Sequence, residues 1–138
     1  MEEKQGTQGI GISNGNGIFH IKEKIYEMIL YGNPALKDFP KTERYALADK
    51  IRESMYTALE MAVRLEKKYH KKTTLQDLDI EIDVLRNLLR LAKDPNLYPK
   101  QKPCLDFHTW EVWIKKVNEI GCMIGGYMEW VNGREKQK

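Results

Sequence analysis

Three cations in the second half of the chain have the spacing to meet a phosphate backbone. Arg86, Arg90 and Lys93 follow one another at intervals of four and three residues, which places them on one face of a helix. The arginine guanidinium presents a planar fork of N–H donors that matches the oxygens of a phosphate. A solvated helical face has the same composition, so in a single copy of the chain both interpretations stay open.

Further cations are expected at the same end of the molecule. Lys41 and Arg44 open the next helix upstream, and Lys100 and Lys102 lie in a proline-containing loop. If the chain formed a ring, symmetry would repeat this cluster and build a strongly positive surface.

A second basic cluster, around residues 64–72, has a different interpretation. It lies at the end of a predicted helix, where cations complement the helix dipole. The following helix supplies acids that a hairpin would bring alongside. We therefore expect a structural role for these five cations: Arg64, Lys67, Lys68, Lys71 and Lys72.

Residues for catalysis or metal binding are scarce. A di-iron helical bundle needs Glu-x-x-His motifs, and none of the three histidines, His20, His70 and His108, has a glutamate three residues before it. Cys104 and His108 have the spacing of half a metal site, but the other half is missing, which favours a helix-entry thiol and a surface histidine. Nucleophilic catalysis would need a Cys or Ser with a His partner and an orienting acid; nothing in the sequence argues for such a set, and an enzyme stays the third alternative. The sequence predicts a protein that is not an enzyme, with no catalytic residue, metal or cofactor.

Composition indicates one domain in a reducing compartment. The chain has 138 residues, a net charge of +3, 41% hydrophobic residues and 31% charged residues. No apolar run approaches the roughly 20 residues of a membrane-spanning helix, and the first residues lack the features of a secretory signal. Two cysteines do not make a disulfide framework. We expect a soluble, cytoplasmic protein with no membrane partner.

The elements that position these residues are helices. Residues 1–17 hold five of the ten glycines and predict a flexible tail. Helical periodicity then predicts four helices. The first covers residues 18–31 and is ended by Gly32-Asn33-Pro34. The second runs from Thr42, as N-cap, to about residue 69, the third from about residue 74 to 94, and the fourth over residues 106–131. No segment alternates with the period of a strand. The prediction is an all-α, up-down antiparallel four-helix bundle over residues 18–133, with a C-terminal tail over residues 134–138.

Each predicted helix carries an apolar stripe for the core. The first stripe is Ile18, Ile21, Ile25 and Met28; the second is Ala48, Ile51, Met55, Ala58, Ala62, Leu65 and Tyr69; the third is Leu75, Leu78, Ile82, Leu85, Leu89 and Ala92; and the fourth is Trp110, Ile114, Val117, Gly121, Ile124, Met128 and Val131.

Two features go beyond a simple core. Secondary stripes widen the apolar arcs of two helices, and apolar surface left exposed would mark a subunit interface. They are Ile80, Val84, Leu88 and Leu91 on the third helix, and Trp113, Met123, Tyr127 and Trp130 on the fourth. Glycines within the fourth helix, at positions 121, 125 and 126, indicate close approach of another backbone, within the bundle or between subunits.

Three blocks of sequence resemble a known family. Residues 39–47 (FPKTERYAL), 84–92 (VLRNLLRLA) and 119–127 (EIGCMIGGY) occur in register. Together they resemble the accessory variability determinant (Avd) proteins of diversity-generating retroelements and the related four-helix proteins encoded within rRNA intervening sequences. The resemblance covers residues 18–132.

The resemblance implies a four-helix protomer in a homopentameric, barrel-like ring. It implies a non-catalytic partner of the retroelement reverse transcriptase that binds template RNA and supports mutagenic copying. The resemblance assigns nucleic-acid and partner binding by motif to Arg86 and Arg90. Lys93, Lys41 and Arg44 join this site because we expect them at the same end of the bundle. The alternative is a protein of the rRNA intervening-sequence kind, with a structural or RNA-binding role and no polymerase partner.

Overall fold

A computed structural model describes residues 17–137 of the chain, and the predicted tail falls outside the described residues except for its last position. The elements are α1 (Gly17–Leu36), α2 (Lys41–Arg44), α3 (Leu47–Lys67), α4 (Lys72–Lys93) and α5 (Phe107–Gln137). Helix α2 is a single turn, whereas the other four are long. There is no strand among the described residues, so the predicted all-helical bundle of four long helices is confirmed there.

The long helices pack in a closed square. Helices α1 and α4 each pack against both α3 and α5, so helices that follow one another in the chain are neighbours in space. The short connection over residues 68–71 makes α3 and α4 antiparallel. The Leu105 amide donates to the Ala92 carbonyl oxygen at 3.0 Å, which joins the start of α5 to the end of α4. We call the end that carries residues 94–106 the loop end.

The core agrees with the predicted stripes on three of the helices. All the predicted residues of α1 and α4, and all those of α3 except Tyr69, are buried. Tyr69 is 89% exposed because α3 ends at Lys67, which leaves the tyrosine in the connection to α4.

The stripe predicted for α5 is partly wrong. Only Val117 and Ile124 of that stripe are fully buried, and the other members lie partly exposed at its edges. The apolar arc of α5 is broad enough to allow two registers, and the fold places the large ring of Trp113 at its centre. The buried residues of α5 are Trp113, Val117, Ile120, Ile124 and Tyr127.

Helix α1 does not stop at Gly32-Asn33-Pro34, as the sequence predicted. It continues through Pro34 to Leu36. Proline in a helix removes one backbone hydrogen bond and strains the preceding turn. Burial offsets that cost, because Leu36 and Phe39, just beyond the proline, are both fully buried. Asn33 also donates to the Tyr56 hydroxyl at 3.0 Å, which holds this turn against α3.

The start of α3 also differs from the prediction. Thr42 lies within α2 and caps nothing, and α3 begins only at Leu47. The Glu43 carboxylate accepts a hydrogen bond from the Leu47 amide at 3.1 Å, so a glutamate satisfies the first turn instead of the threonine. The same carboxylate accepts a hydrogen bond from the Tyr98 hydroxyl, which joins the loop over residues 94–106 to α2.

Candidate nucleic-acid interface

Arg90 and Lys93 lie close together near the loop end of α4. Arg90 is exposed, and its guanidinium has no ion pair or hydrogen bond to any residue within the described part of the chain. Lys93 is half-buried, with Nζ 4.5 Å from the ring centroid of Trp110 on α5. This cation–π contact fixes the ammonium over the α4–α5 groove. Arg90 is therefore a cation available to an outside anion, one turn from a second that is held in place.

Arg86 is bound within the protein rather than free. Its Nη1 donates to the Asp83 carboxylate at 2.8 Å, and its Nε donates to Asn118 Oδ1 on α5 at 2.8 Å. The guanidinium rests on Gly121, where an added Cβ would lie 2.7 Å from Nη2. Within the protomer, the close neighbour of this glycine is therefore a side chain and not another backbone, and close approach between subunits stays a prediction. The Arg86 side chain links α4 to α5, and its ion pair with Asp83 offsets part of its positive charge.

Lys41 and Arg44 reach the same end of the bundle but not the same groove. Both lie on α2, which packs mainly against α3. Arg44 Nη2 donates to the Phe39 carbonyl oxygen at 3.4 Å, and Arg44 Nε is buried with no acceptor among the residues described. Lys41 is exposed. The structure thus groups Arg90 with Lys93 and holds Arg44 against the connection between α1 and α2.

Two aromatic residues at the start of α5 lie beside this surface, and the sequence analysis did not place them there. Phe107 is 61% exposed, and its ring centroid lies 5.6 Å from that of Trp110. Sequence reasoning assigned Trp110 to the core and gave Phe107 no role. The available signal was an aromatic pair three residues apart at the start of a helix, directly after a loop with two lysines.

Two of the five cations in the second basic cluster, Lys68 and Lys71, make structural contacts, and neither of them pairs with an acid of α4 within the described residues. Lys71 Nζ donates to the Leu65 carbonyl oxygen at 3.0 Å and also to that of Lys68. Lys68 Nζ donates to the Thr74 hydroxyl at 2.8 Å. The Lys71 ammonium thus satisfies carbonyls at the end of α3, and the Lys68 ammonium joins the connection to the first turn of α4.

The titratable groups at the loop end have structural roles. The Thr109 amide donates to the Asp106 carboxylate at 2.7 Å, and this hydrogen bond holds the pKa of Asp106 below its ordinary value. The hydrogen bond from Tyr98 to Glu43 raises the pKa of Tyr98. Burial raises the pKa of the Cys104 thiol, which favours the less reactive protonated form.

The described residues contain no metal site and no membrane span. Over residues 17–137 no three His, Cys, Asp or Glu side chains are grouped as a metal ion would need. None of the helices in that range is both long and apolar enough to cross a bilayer.

Comparison with protein families finds a match across most of the bundle. The family model described as bAvd-like matches residues 19–131, a range that includes α2 to α4 completely and most of α1 and α5. No curated protein and no solved structure matches the chain.

Proposed function

Because the chain belongs to the bAvd-like family of accessory variability determinant (Avd) proteins, we propose that it is a non-catalytic accessory protein of a diversity-generating retroelement. In this proposal it acts in the cytoplasm, where it binds the template RNA and the retroelement reverse transcriptase and supports mutagenic cDNA synthesis. The observation that carries the proposal is the family match across the bundle, because it includes the α4 block with Arg86 and Arg90. The unpaired guanidinium of Arg90 gives that block a group with which to bind RNA.

RNA binding follows from the charges at the loop end. Arg90 contacts a phosphate directly, and Lys93, held over Trp110, adds a second positive charge at a fixed place. Lys41 and Arg44 extend the positive surface along α2, and Arg86 stabilises the α4–α5 groove while contributing part of its charge. Binding by such contacts releases counterions and falls steeply with salt. Base specificity then comes from the RNA and the polymerase.

A ring of five protomers would repeat this surface, and exposed apolar residues support such an assembly. Ile80, Val84 and Leu91 lie on the outer face of α4, and they are 61%, 44% and 43% exposed. With the half-buried Leu88 they form a continuous stripe at helical spacing. Apolar surface of this kind on a soluble domain is typical of an interface.

A second apolar surface lies on another side of the bundle. Two contacts between α1 and α3, Lys22 to Glu66 and Asn33 to Tyr56, set the register of these helices. The exposed side chains in the groove between them are Tyr26, Leu30, Tyr56 and Val63. A contact between two different surfaces is heterologous, and a heterologous contact closes into a ring when its rotation allows. We propose that the α4 stripe of one protomer meets this groove on the next in a homopentamer.

The assembly is tested by light scattering on the purified protein at low and moderate salt. We expect a mass of five protomers, and Val84→Glu should shift it toward a monomer while helical content stays unchanged. Asn96→Glu, which adds the same charge on the exposed loop, should leave the pentamer intact. A monomeric wild-type protein at both salt concentrations would contradict the ring.

RNA binding is tested by fluorescence anisotropy with template RNA at several salt concentrations. Arg90→Ala, alone and with Arg86→Ala, should weaken binding to RNA or to the polymerase and reduce the salt dependence. Arg64→Ala is the matched control, because Arg64 is an exposed arginine near the other end of the bundle. Equal affinities of the wild-type and Arg90→Ala proteins at moderate salt would contradict the proposed site.

The alternative is the rRNA intervening-sequence type of four-helix protein, which shares the fold and has no polymerase partner. Gene neighbourhood distinguishes the two. A reverse transcriptase gene with template and variable repeats supports the retroelement role, and a surrounding rRNA operon supports the alternative.

A further inference from the structure

The exposed aromatic ring at the loop end deepens the proposed RNA-binding role and depends on it. Phe107 is the first residue of α5 and is 61% exposed, although it is among the most apolar side chains of the protein. It contacts Trp110, which carries the Lys93 ammonium on its ring. From this arrangement we propose that the loop end binds single-stranded nucleic acid, with a base stacked on Phe107 and a neighbouring phosphate on Arg90.

The order of the groups along the α4–α5 groove fits one nucleotide step. Arg90 lies three residues before Lys93 on α4, and Phe107 lies three residues before Trp110 on the antiparallel α5. Arg90 and Phe107 therefore lie on opposite sides of the Lys93–Trp110 contact. At a rise of 1.5 Å per residue they are separated by about 9 Å along the bundle axis. That separation leaves room for a sugar between a stacked base and the phosphate at Arg90.

The aromatic ring selects single strands because only an unstacked base offers a free face. Within a duplex both faces of each base are covered by their neighbours, whereas bases in loops and single strands stack readily on aromatic side chains. Stacking on a protein aromatic is worth about 5- to 150-fold in affinity per base. The cations alone would bind any phosphate backbone, so the ring supplies the discrimination.

Two acids beside this surface, Asp94 and Asp106, accept hydrogen bonds from the backbone, and a third, Glu111, lies four residues after Phe107 and forms no ion pair with Arg90 or Lys93 among the described residues. Asp94 Oδ1 accepts from the Asn96 amide at 2.9 Å, and Asp106 Oδ1 accepts from the Thr109 amide at 2.7 Å. Both carboxylates are therefore turned to the chain, and neither forms an ion pair with Arg90 or Lys93 within the part of the chain that is described. The positive charge of the groove is left to an outside anion.

The test compares single-stranded RNA with duplex RNA of the same length, each fluorescently labelled, on the full chain. Phe107→Leu keeps an apolar side chain and removes the aromatic face, and Phe107→Tyr keeps that face. We expect Phe107→Leu to weaken single-strand binding at least about 5-fold and to leave duplex binding unchanged, while Phe107→Tyr binds like the wild-type protein.

The matched control is Phe19→Leu. Phe19 is 46% exposed and has the Lys22 ammonium 5.1 Å from its ring centroid, but it lies near the end of the bundle opposite the loop end. This variant should bind both RNAs like the wild-type protein. Thermal unfolding of each variant shows whether the fold is retained, and the leucine and tyrosine variants at position 107 give independent readings.

The results separate the two levels of the proposal. If the wild-type protein binds neither RNA even at low salt, the proposed RNA-binding function itself fails. If it binds RNA and Arg90→Ala weakens the binding, but Phe107→Leu matches the wild-type protein, only the stacking inference is overturned. Equal losses of single-strand and duplex affinity in Phe107→Leu would also overturn it.

Discussion

Replacing Gly32 with alanine should destabilise the bundle, although alanine is the better helix former. Gly32 lies inside α1 and is covered by Trp113 of α5. A Cβ at this position would lie 2.3 Å from Cζ2, 2.7 Å from Cε2 and 2.9 Å from Cη2 of the indole ring. Ordinary carbon contacts are about 3.5–4.0 Å, so the ring of Trp113, which is fully buried, must withdraw by about 1 Å or more.

Two opposing terms set the magnitude. Alanine in place of glycine within a helix gains about 1 kcal/mol. Overpacking a core costs about 1–3 kcal/mol, and three ring atoms inside contact distance put this site at the upper limit. The net expectation is a loss of about 2 kcal/mol in the free energy of unfolding. At about 2.1 cal/mol/K of unfolding entropy per residue, a chain of 138 residues would lose about 7 °C in Tm.

Thermal unfolding followed by circular dichroism, at one fixed protein concentration, measures this effect. Gly133→Ala is the control, because a Cβ there would meet nothing within 4 Å, and its Tm should stay unchanged or rise slightly. In a Trp113→Phe background, the smaller ring should relieve most of the cost of Gly32→Ala. A higher Tm for Gly32→Ala, or the same cost in both backgrounds, would refute the packing argument.

Three further predictions concern contacts at the loop end and along the α4–α5 groove. Asp106→Ala should lower Tm at neutral pH. Because folding lowers the pKa of Asp106, the difference in Tm between this variant and the wild-type protein should shrink as the pH falls below the ordinary pKa of 3.8. The pKa of Tyr98 is raised by its hydrogen bond to Glu43, so this bond stabilises the fold below the ordinary pKa of 10.0, and the stabilisation is lost as the pH rises beyond that value. In a pH series of Tm, Tyr98→Phe should therefore remove this decrease in Tm at alkaline pH. Gly121→Ala should change the free energy of unfolding by less than about 1 kcal/mol in urea unfolding, because the higher helix propensity of alanine offsets the displacement of the end of the Arg86 side chain. A loss above about 2 kcal/mol would show that the Arg86 contacts contribute more to stability than inferred.

Helix α4 shows where sequence patterns are sufficient. Its apolar residues recur at intervals of three and four, and all six predicted core positions are buried. Its neighbour α5 carries apolar residues on a wider arc, so periodicity alone did not determine which side faces inward. Only packing against the other helices places Trp113 and Tyr127 inside.

Local stop signals were less reliable than burial. Pro34 was expected to end α1, but the turn beyond it buries Leu36 and Phe39 and keeps the helix intact. At the candidate site, the spacing of Arg86 and Arg90 suggested equivalent cations. Their different roles depend on Asn118, which is 32 residues from Arg86 in the chain, and no short-range pattern reports that contact.

The direction of the helices determines where a label or a solid support can be attached without approaching the proposed RNA-binding surface. Helix α1 begins, and α5 ends, at the side of the bundle opposite the loop end. A helix of 20 residues is about 30 Å long, so a label attached at the first turn of α1 or the last turns of α5 is separated from Arg90 and Phe107 by most of the bundle length. Immobilisation at either of these helix ends would thus orient every molecule with its proposed RNA-binding surface toward the solution.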